Sequence, residues 1–117
     1  MAFEHDVRAP GKVRRTLGPL FPDDGPIADH VALVASEFVS NVVQHTDNGG
    51  ELRAWRDPRV RIEVQDRDPT PPTPRPADGR FGGRGLSIVE QLADSWGIDV
   101  RPEGKTVWAE FDPLPSE

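Results

Sequence analysis

Apolar residues recur every three or four positions between about Pro26 and His45, which is the periodicity of one face of an α-helix. Proline is tolerated in the first turn of a helix, and the glycines that follow in Thr46–Gly50 are typical of a helix end. The pattern therefore predicts one long amphipathic helix. The predicted core stripe comprises Ile27, Val31, Val34, Phe38 and Val42.

Strict alternation of apolar and polar residues marks a second element, from Val60 to Asp66. Val60, Ile62 and Val64 fall on one face and polar side chains on the other, which predicts a half-buried strand. Asp66 shares the parity of the apolar residues. Its carboxylate is therefore expected to face the core, where a charge needs a partner because leaving it unpaired is costly.

The remaining patterns are weaker, but together they predict a two-layer domain. Strand pairs joined by tight turns, with helices between them, predict an α+β sandwich with a mixed or antiparallel sheet and about three helices on one face. Trp96 and Trp108 are expected in the core. The further predicted elements are an edge strand or arm over residues 1–9, a helix over Gly11–Phe21, a strand over residues 51–56, a helix over about Gly85–Trp96 and a closing hairpin over Gly97–Phe111.

Residues 67–83 do not fit any regular element, because five of the 13 prolines fall between Pro69 and Pro76. Long loops without secondary structure are uncommon in compact domains and often act as lids. The loop ends in glycines that run directly into the third predicted helix. A helix N-terminus presents unpaired N–H groups and the positive end of its dipole, which suits a phosphate. The sequence thus predicts a cover beside an anion site.

Composition narrows the classes of function. The chain has 117 residues, which favours a single domain over residues 1–117. Its net charge of −6 argues against direct nucleic-acid binding, and the lack of cysteine excludes thiolate metal sites. No apolar run approaches the roughly 18 residues of a membrane span, and the N-terminus lacks an apolar signal region. We therefore expect a soluble, cytoplasmic protein without a membrane partner.

Two polar residues of the long helix, Glu37 and Asn41, lie one turn apart at the border of its buried face. A solvated helix edge would explain this spacing as well, so spacing alone assigns them no role. His45 falls within the apolar arc and is interpreted as a helix-end residue rather than a ligand.

Four segments nevertheless occur in the order typical of one superfamily. Residues 37–45, EFVSNVVQH, resemble its N-box, and residues 64–69, VQDRDP, stand where its aspartate-glycine box is expected. Residues 82–97, GGRGLSIVEQLADSWG, resemble its second glycine box, and residues 104–111, GKTVWAEF, its closing threonine strand. Together they resemble the GHKL ATPase superfamily, whose domain has the Bergerat fold. The most similar branch is that of the bacterial anti-sigma factor serine/threonine kinases.

This resemblance implies roles for individual residues. Asn41 would ligate the Mg²⁺ that accompanies ATP, since its amide oxygen is a hard ligand of the kind Mg²⁺ accepts. Glu37 would act as general base toward an attacking hydroxyl or water. Asp66 would accept a hydrogen bond from the exocyclic amine of adenine, an interaction with a charged acceptor that contributes about 1.5–3 kcal/mol.

The other implied site residues lie in the later motifs. The second glycine box would bind the phosphates, Thr106 would support the adenine end, and residues 67–82 would form the ATP lid. The residues of that box are Gly83, Arg84, Gly85 and Leu86.

The sequence departs from the superfamily pattern at one place, and the parity of Thr106 is a second point of tension. Asp68 and Pro69 stand where the aspartate-glycine box is expected to be flexible. Thr106 alternates with Trp108 rather than with Val107, so a bulge would be needed to turn it toward the core.

The resemblance implies an ATP-binding regulatory protein, an anti-sigma factor-type kinase that uses Mg-ATP to phosphorylate an antagonist protein. Its partners would be a sigma factor and the antagonist, and homodimerisation is left open. One alternative is a module of the same fold that binds a nucleotide or sequesters a partner without catalysis. A detached histidine-kinase catalytic domain is disfavoured, because a chain of this length has no room for a dimerising helical hairpin.

Overall fold

An antiparallel sheet and a layer of helices make up the protein. The computed structural model describes residues 1–20, 26–46, 49–56, 58–68 and 81–112, and only the backbone at His45 and over residues 81–86. In that part of the chain, no helix is long and apolar enough to cross a membrane. The elements are β1 (Ala2–Phe3), α1 (Ala9–Leu17), α2 (Pro26–His45), β2 (Gly50–Arg56), β3 (Val60–Asp66), α3 (Phe81–Leu92), β4 (Ser95–Arg101) and β5 (Gly104–Phe111).

The strands form one sheet in the order β1-β2-β3-β5-β4, and every neighbouring pair in it is antiparallel. β3 and β5 are paired without interruption from Val60–Phe111 to Asp66–Lys105. Residues directly opposite each other on paired strands share a face of the sheet. Asp66 and Lys105 therefore lie side by side. The predicted α+β sandwich is confirmed, and its sheet is antiparallel rather than mixed.

The three helices form the second layer, with α2 packed between α1 and α3. α2 also contacts β2, β3 and β5, so it is the central element of the core. The stripe predicted for this helix is buried, except that Ile27 is only partly buried. The side chains that α2 and the sheet bury most completely are Val31, Val34, Phe38, Val39, Leu52, Val60, Ile62, Val64 and Phe111.

The bounds of α2 and β3 agree with the prediction, whereas the third helix is displaced. It runs over Phe81–Leu92, four residues earlier than the predicted Gly85–Trp96. The N–H of Asp94 already donates to the carbonyl of Glu110, which draws the chain into β4 and ends the helix. Trp96 consequently lies in a strand, and it packs against the core from there.

The first helix is also displaced from its predicted bounds. It runs over Ala9–Leu17 instead of Gly11–Phe21, with Pro10 in its first turn, where a missing N–H costs nothing. Gly18–Leu20 continue it as a short 3₁₀ helix. The predicted N-terminal edge strand is present as Ala2–Phe3.

The face of the sheet turned away from the helices carries charge. Arg61 donates to Glu63 and Glu110, and its guanidinium lies 4.5 Å from the centroid of the Trp108 ring. Such a cation–π contact contributes about 0.5–1 kcal/mol at an exposed site. Trp108 therefore lies on this open face, and its predicted place in the core is wrong because it has the parity of Glu110 on β5.

Candidate functional site

The connection after α2 brings the polar end of that helix to one end of the sheet. α2 ends at His45, and β2 begins at Gly50. Because Glu51 pairs with Gln65, Gly50 stands across from Asp66. The last turns of α2 therefore lie at the end of the sheet where β3 stops and β5 starts.

Glu37 and Asn41 project from α2 one turn apart, about 6 Å along the helix axis. Both residues are half-buried, as their place at the border of the apolar stripe predicts. Glu37 Oε2 and Asn41 Oδ1 are buried and accept no hydrogen bond from any residue that the structure describes. A buried acceptor without a donor costs about 1–3 kcal/mol, so two such oxygens on neighbouring turns indicate a ligand-binding position.

Burial raises the pKa of Glu37 above its ordinary value of 4.5, because desolvation disfavours the charged carboxylate. The positive charge of Arg14 on α1, the helix packed against α2, opposes part of this rise in pKa. A carboxyl group whose pKa moves toward neutral pH is a better proton acceptor under physiological conditions. Glu37 is therefore a partly desolvated carboxyl group with a raised pKa.

Asp66 lies at the end of β3 and faces the helix layer, as its parity predicts. Its side chain is fully buried, with 0% exposure, and the buried partner that the sequence requires is Lys105 on β5. Lys105 Nζ lies 3.0 Å from each carboxylate oxygen. The angles make a hydrogen bond to Oδ1, whereas Oδ2 is held by charge alone.

The backbone of Asp68 closes this ion pair from the other side. Its N–H donates to Asp66 Oδ1 over 2.7 Å, and its carbonyl accepts a hydrogen bond from Lys105 Nζ over 2.9 Å. Lys105 Nζ thus donates two hydrogen bonds, one to Asp66 Oδ1 and one to the carbonyl of Asp68. Asp68, which departs from the aspartate-glycine box of the superfamily, thus encloses the carboxylate of Asp66 with its backbone.

Gly104 allows β5 to start this close to the end of β3. A Cβ at Gly104 would collide with the backbone carbonyl oxygen of Asp66, and the φ of Gly104 is +158°, which L side chains rarely adopt. The glycine therefore fixes the register that places Lys105 against Asp66.

Thr106 does not lie with Asp66. The pairing of β5 with β3 and β4 runs through Thr106 without a bulge, so its side chain is on the open face, with that of Trp108. Its hydroxyl accepts a hydrogen bond from Arg101 over 2.9 Å. The structure gives no support to a contact between Thr106 and a base held at Asp66.

The second glycine box lies within α3 rather than before it. A helix leaves its first four N–H groups without intrahelical partners, and here they belong to residues 81–84. Gly83 and Arg84 are thus in the first turn, and Gly85 follows it. The side chains of Arg84 and Leu86 lie outside the described part, as does the body of the predicted lid over residues 69–80.

A cavity of about 710 Å³ also opens at this end of the sheet. Gln65, Arg101 and Glu103 line it, together with the backbone around Asp66. It lies beside the open face and the sheet edge, and Glu37 and Asn41 are not among the residues that line it. We therefore place the candidate site between α2 and the sheet.

The two ends of the candidate site differ in how well they suit Mg-ATP. The orphaned oxygens of Glu37 and Asn41 suit a hard cation and a proton in transfer. Asp66 does not suit the amine of adenine in this arrangement, because its carboxylate is buried against Lys105. The two orphaned oxygens on α2 are therefore the part of the candidate site that is left for a ligand.

Lys105 and Arg14 are not among the residues that the motifs predict. For Lys105 a partial signal exists, since it shares the strand parity of Val107, Ala109 and Phe111 and is therefore expected to face the core. Its place beside Asp66 follows from the register of β3 and β5. Arg14 carries no such signal, because its proximity to α2 depends on how two helices pack.

Comparison with known proteins identifies what the chain is similar to. Residues 21–111 match the family model described as "Histidine kinase-like ATPase domain". No curated protein matches the sequence significantly.

Two solved structures share the fold. One contains the RsbU and RsbW domains of Rv1364c from Mycobacterium tuberculosis, with a TM-score of 0.69 and 20% identity over 97% of this chain. The other is the histidine kinase domain of a blue-light activated histidine kinase from Erythrobacter litoralis, with a TM-score of 0.58 and 18% identity over 87% of this chain. The matches span 31% and 62% of those two chains. At these identities the likeness establishes the fold.

Proposed function

Because the chain belongs to the histidine kinase-like ATPase domain family, we propose that it is an ATP-binding regulatory protein of the anti-sigma factor kinase type. Using Mg-ATP, it would phosphorylate a serine or threonine of an antagonist protein, and it would bind a sigma factor in the cytoplasm. The observation that carries this proposal is the pair of orphaned oxygens on α2, Glu37 Oε2 and Asn41 Oδ1.

Asn41 and Glu37 divide the chemistry between them. Asn41 Oδ1 would provide one ligand to Mg²⁺, which usually keeps several waters and substrate oxygens in its coordination sphere. When bound, the cation neutralises charge on the phosphates. Glu37 would accept the proton of the attacking hydroxyl at Oε2, the oxygen that has no donor among the described residues. Phosphoryl transfer asks a protein mainly for such positioning and charge stabilisation.

Calorimetric titration with ATP in the presence of Mg²⁺ tests the binding step. We expect Asn41→Ala to weaken ATP binding at least tenfold, because the variant loses a ligand of the cation. Gln44→Ala is the matched control, since Gln44 is an exposed amide near the end of the same helix, and it should bind ATP like the wild type. Equal ATP affinity in the wild type and Asn41→Ala would contradict the role of Asn41.

Transfer of the γ-phosphoryl group to an antagonist protein tests the catalytic step. We expect Glu37→Gln to bind Mg-ATP about as tightly as the wild type but to transfer phosphate at least a hundredfold more slowly, the usual range for loss of a general base. A Glu37→Gln variant that transfers phosphate at the wild-type rate would exclude the general-base role.

A second candidate function is a module that sequesters a partner without catalysis. The observation that favours it is the buried ion pair at Asp66, which occupies the group implied for adenine recognition. The transfer assay separates the two functions. If the wild-type protein binds its sigma factor or its antagonist but transfers no phosphate to the antagonist, it is such a sequestering module.

A further inference from the structure

The ion pair between Asp66 and Lys105 occupies the carboxylate that was expected to read the base. Asp66 was expected to accept a hydrogen bond from the exocyclic amine of adenine, but its side chain is 0% exposed. Both of its oxygens lie 3.0 Å from the ammonium group of Lys105, and one also accepts from the N–H of Asp68. Oδ2 accepts no hydrogen bond, but the carboxylate has no exposed surface and both of its oxygens lie against the ammonium group.

Lys105 offers no replacement for that recognition. Its side chain is 8% exposed, and its ammonium group donates to Asp66 Oδ1 and to the carbonyl of Asp68 while it lies 3.0 Å from Asp66 Oδ2. A carbonyl oxygen on a base would therefore meet an ammonium group that is already held in a buried ion pair. This part of the site therefore presents a closed and internally paired surface.

Opening the ion pair is costly. Removing one partner of a buried pair leaves the other charge buried and uncompensated, which is strongly destabilising. A hydrogen bond from a base amine to a carboxylate contributes less than this loss. The amine of a nucleotide therefore does not displace Lys105 at a net gain.

We propose that Lys105 takes the place of the base amine at Asp66, so that the site binds purine triphosphates without selecting a 6-amino over a 6-oxo base. This inference rests on the proposed function, in which the chain binds a triphosphate at Glu37 and Asn41. Lys105 is then the specificity-determining residue, since it fixes whether Asp66 meets the ligand.

Titration of the wild-type protein with ATP and with ITP, each with Mg²⁺, tests this inference on the intact chain. ITP carries a carbonyl oxygen where ATP carries the amine. We expect the two dissociation constants to agree within about twofold. A free carboxylate would favour ATP by about tenfold to a hundredfold, given the strength of a hydrogen bond to a charged group.

Lys105→Thr should restore selection by removing the competing ammonium group. We expect this variant to prefer ATP over ITP at least tenfold, and Lys12→Thr, which changes an exposed lysine of α1, to show no preference. If Lys105→Thr does not fold, which circular dichroism would show, the wild-type comparison decides alone.

The outcomes separate this inference from the proposed function. A wild-type protein that prefers ATP at least tenfold overturns the inference and leaves the proposed function standing. A folded Lys105→Thr variant without any preference also overturns it. If the wild type binds neither triphosphate at millimolar concentration, both the inference and the proposed function fail.

Discussion

At the scale of single residues, the candidate site combines two different electrostatic situations. Glu37 is desolvated with little compensation, so its pKa is raised, whereas the charge of Asp66 is compensated by a buried lysine. The first arrangement keeps a carboxylate reactive, and the second makes a carboxylate structural. Residue type and spacing did not distinguish the two, because both carboxylates lie at the edge of an apolar face.

The raised pKa of Glu37 makes the stability of the protein depend on pH. The folded state holds the proton of this carboxyl group more tightly than the unfolded state, so the contribution of Glu37 to stability is lost as the pH rises through its folded pKa. We expect Glu37→Gln to raise the melting temperature above that pKa and to leave it unchanged below pH 4.5, the ordinary pKa. Melting curves across this pH range measure the effect, with the exposed Glu90→Gln as the control.

Lys105→Met should destabilise the protein by about 3–5 kcal/mol, because Asp66 would remain as a buried, uncompensated charge. Urea unfolding measures this change in the free energy of unfolding. Exposed Lys12→Met is the control, with an expected change within about 0.5 kcal/mol. If Lys105→Met were as stable as the wild type, the prediction would be wrong, because the charge of Asp66 would then not depend on Lys105 for its compensation.

At the scale of elements, the strongly periodic segments were predictable, whereas the bounds of the first and third helices were not. α2 and β3 each bury a continuous stripe, so the sequence determines both their type and their ends. The third helix was predicted to start at about Gly85, but it begins at Phe81 and includes the earlier glycines, since backbone conformation there depends on the packing of α3 against α2. Strict alternation along β5 predicts that Thr106 lies on the same face as Trp108. The structure places it there, because β5 pairs with β3 without a bulge.

Packing between β4 and β5 gives a prediction about one glycine. A Cβ at Gly97 would lie 2.7 Å from the indole ring of Trp108, which Arg61 covers from 4.5 Å. We expect Gly97→Ala to lower the free energy of unfolding by about 1–3 kcal/mol, the usual cost of overpacking, and to change tryptophan fluorescence. Gly18→Ala is the control, because nothing lies within 4 Å of its Cβ, and unchanged fluorescence in Gly97→Ala would contradict the packing.

At the scale of the whole molecule, the fold and its family could be predicted from four motifs in order, whereas the state of the site could not. The motifs predict that Glu37, Asn41 and Asp66 belong to one nucleotide site, and the topology places the last turns of α2 at the end of the sheet where Asp66 lies. The ion pair between Asp66 and Lys105 depends on the register of two strands about 40 positions apart in the chain. Local sequence patterns do not reveal that register.

The central claim for the whole molecule is that it binds ATP through the cation and phosphate end of the site. The most direct measurement is a calorimetric titration of the wild-type protein with ATP, once with Mg²⁺ and once with EDTA. The account predicts saturable binding with Mg²⁺ that weakens at least tenfold in EDTA, because Asn41 Oδ1 holds the phosphates only through the cation. Absence of binding at millimolar Mg-ATP, or equal affinity in EDTA, would contradict it.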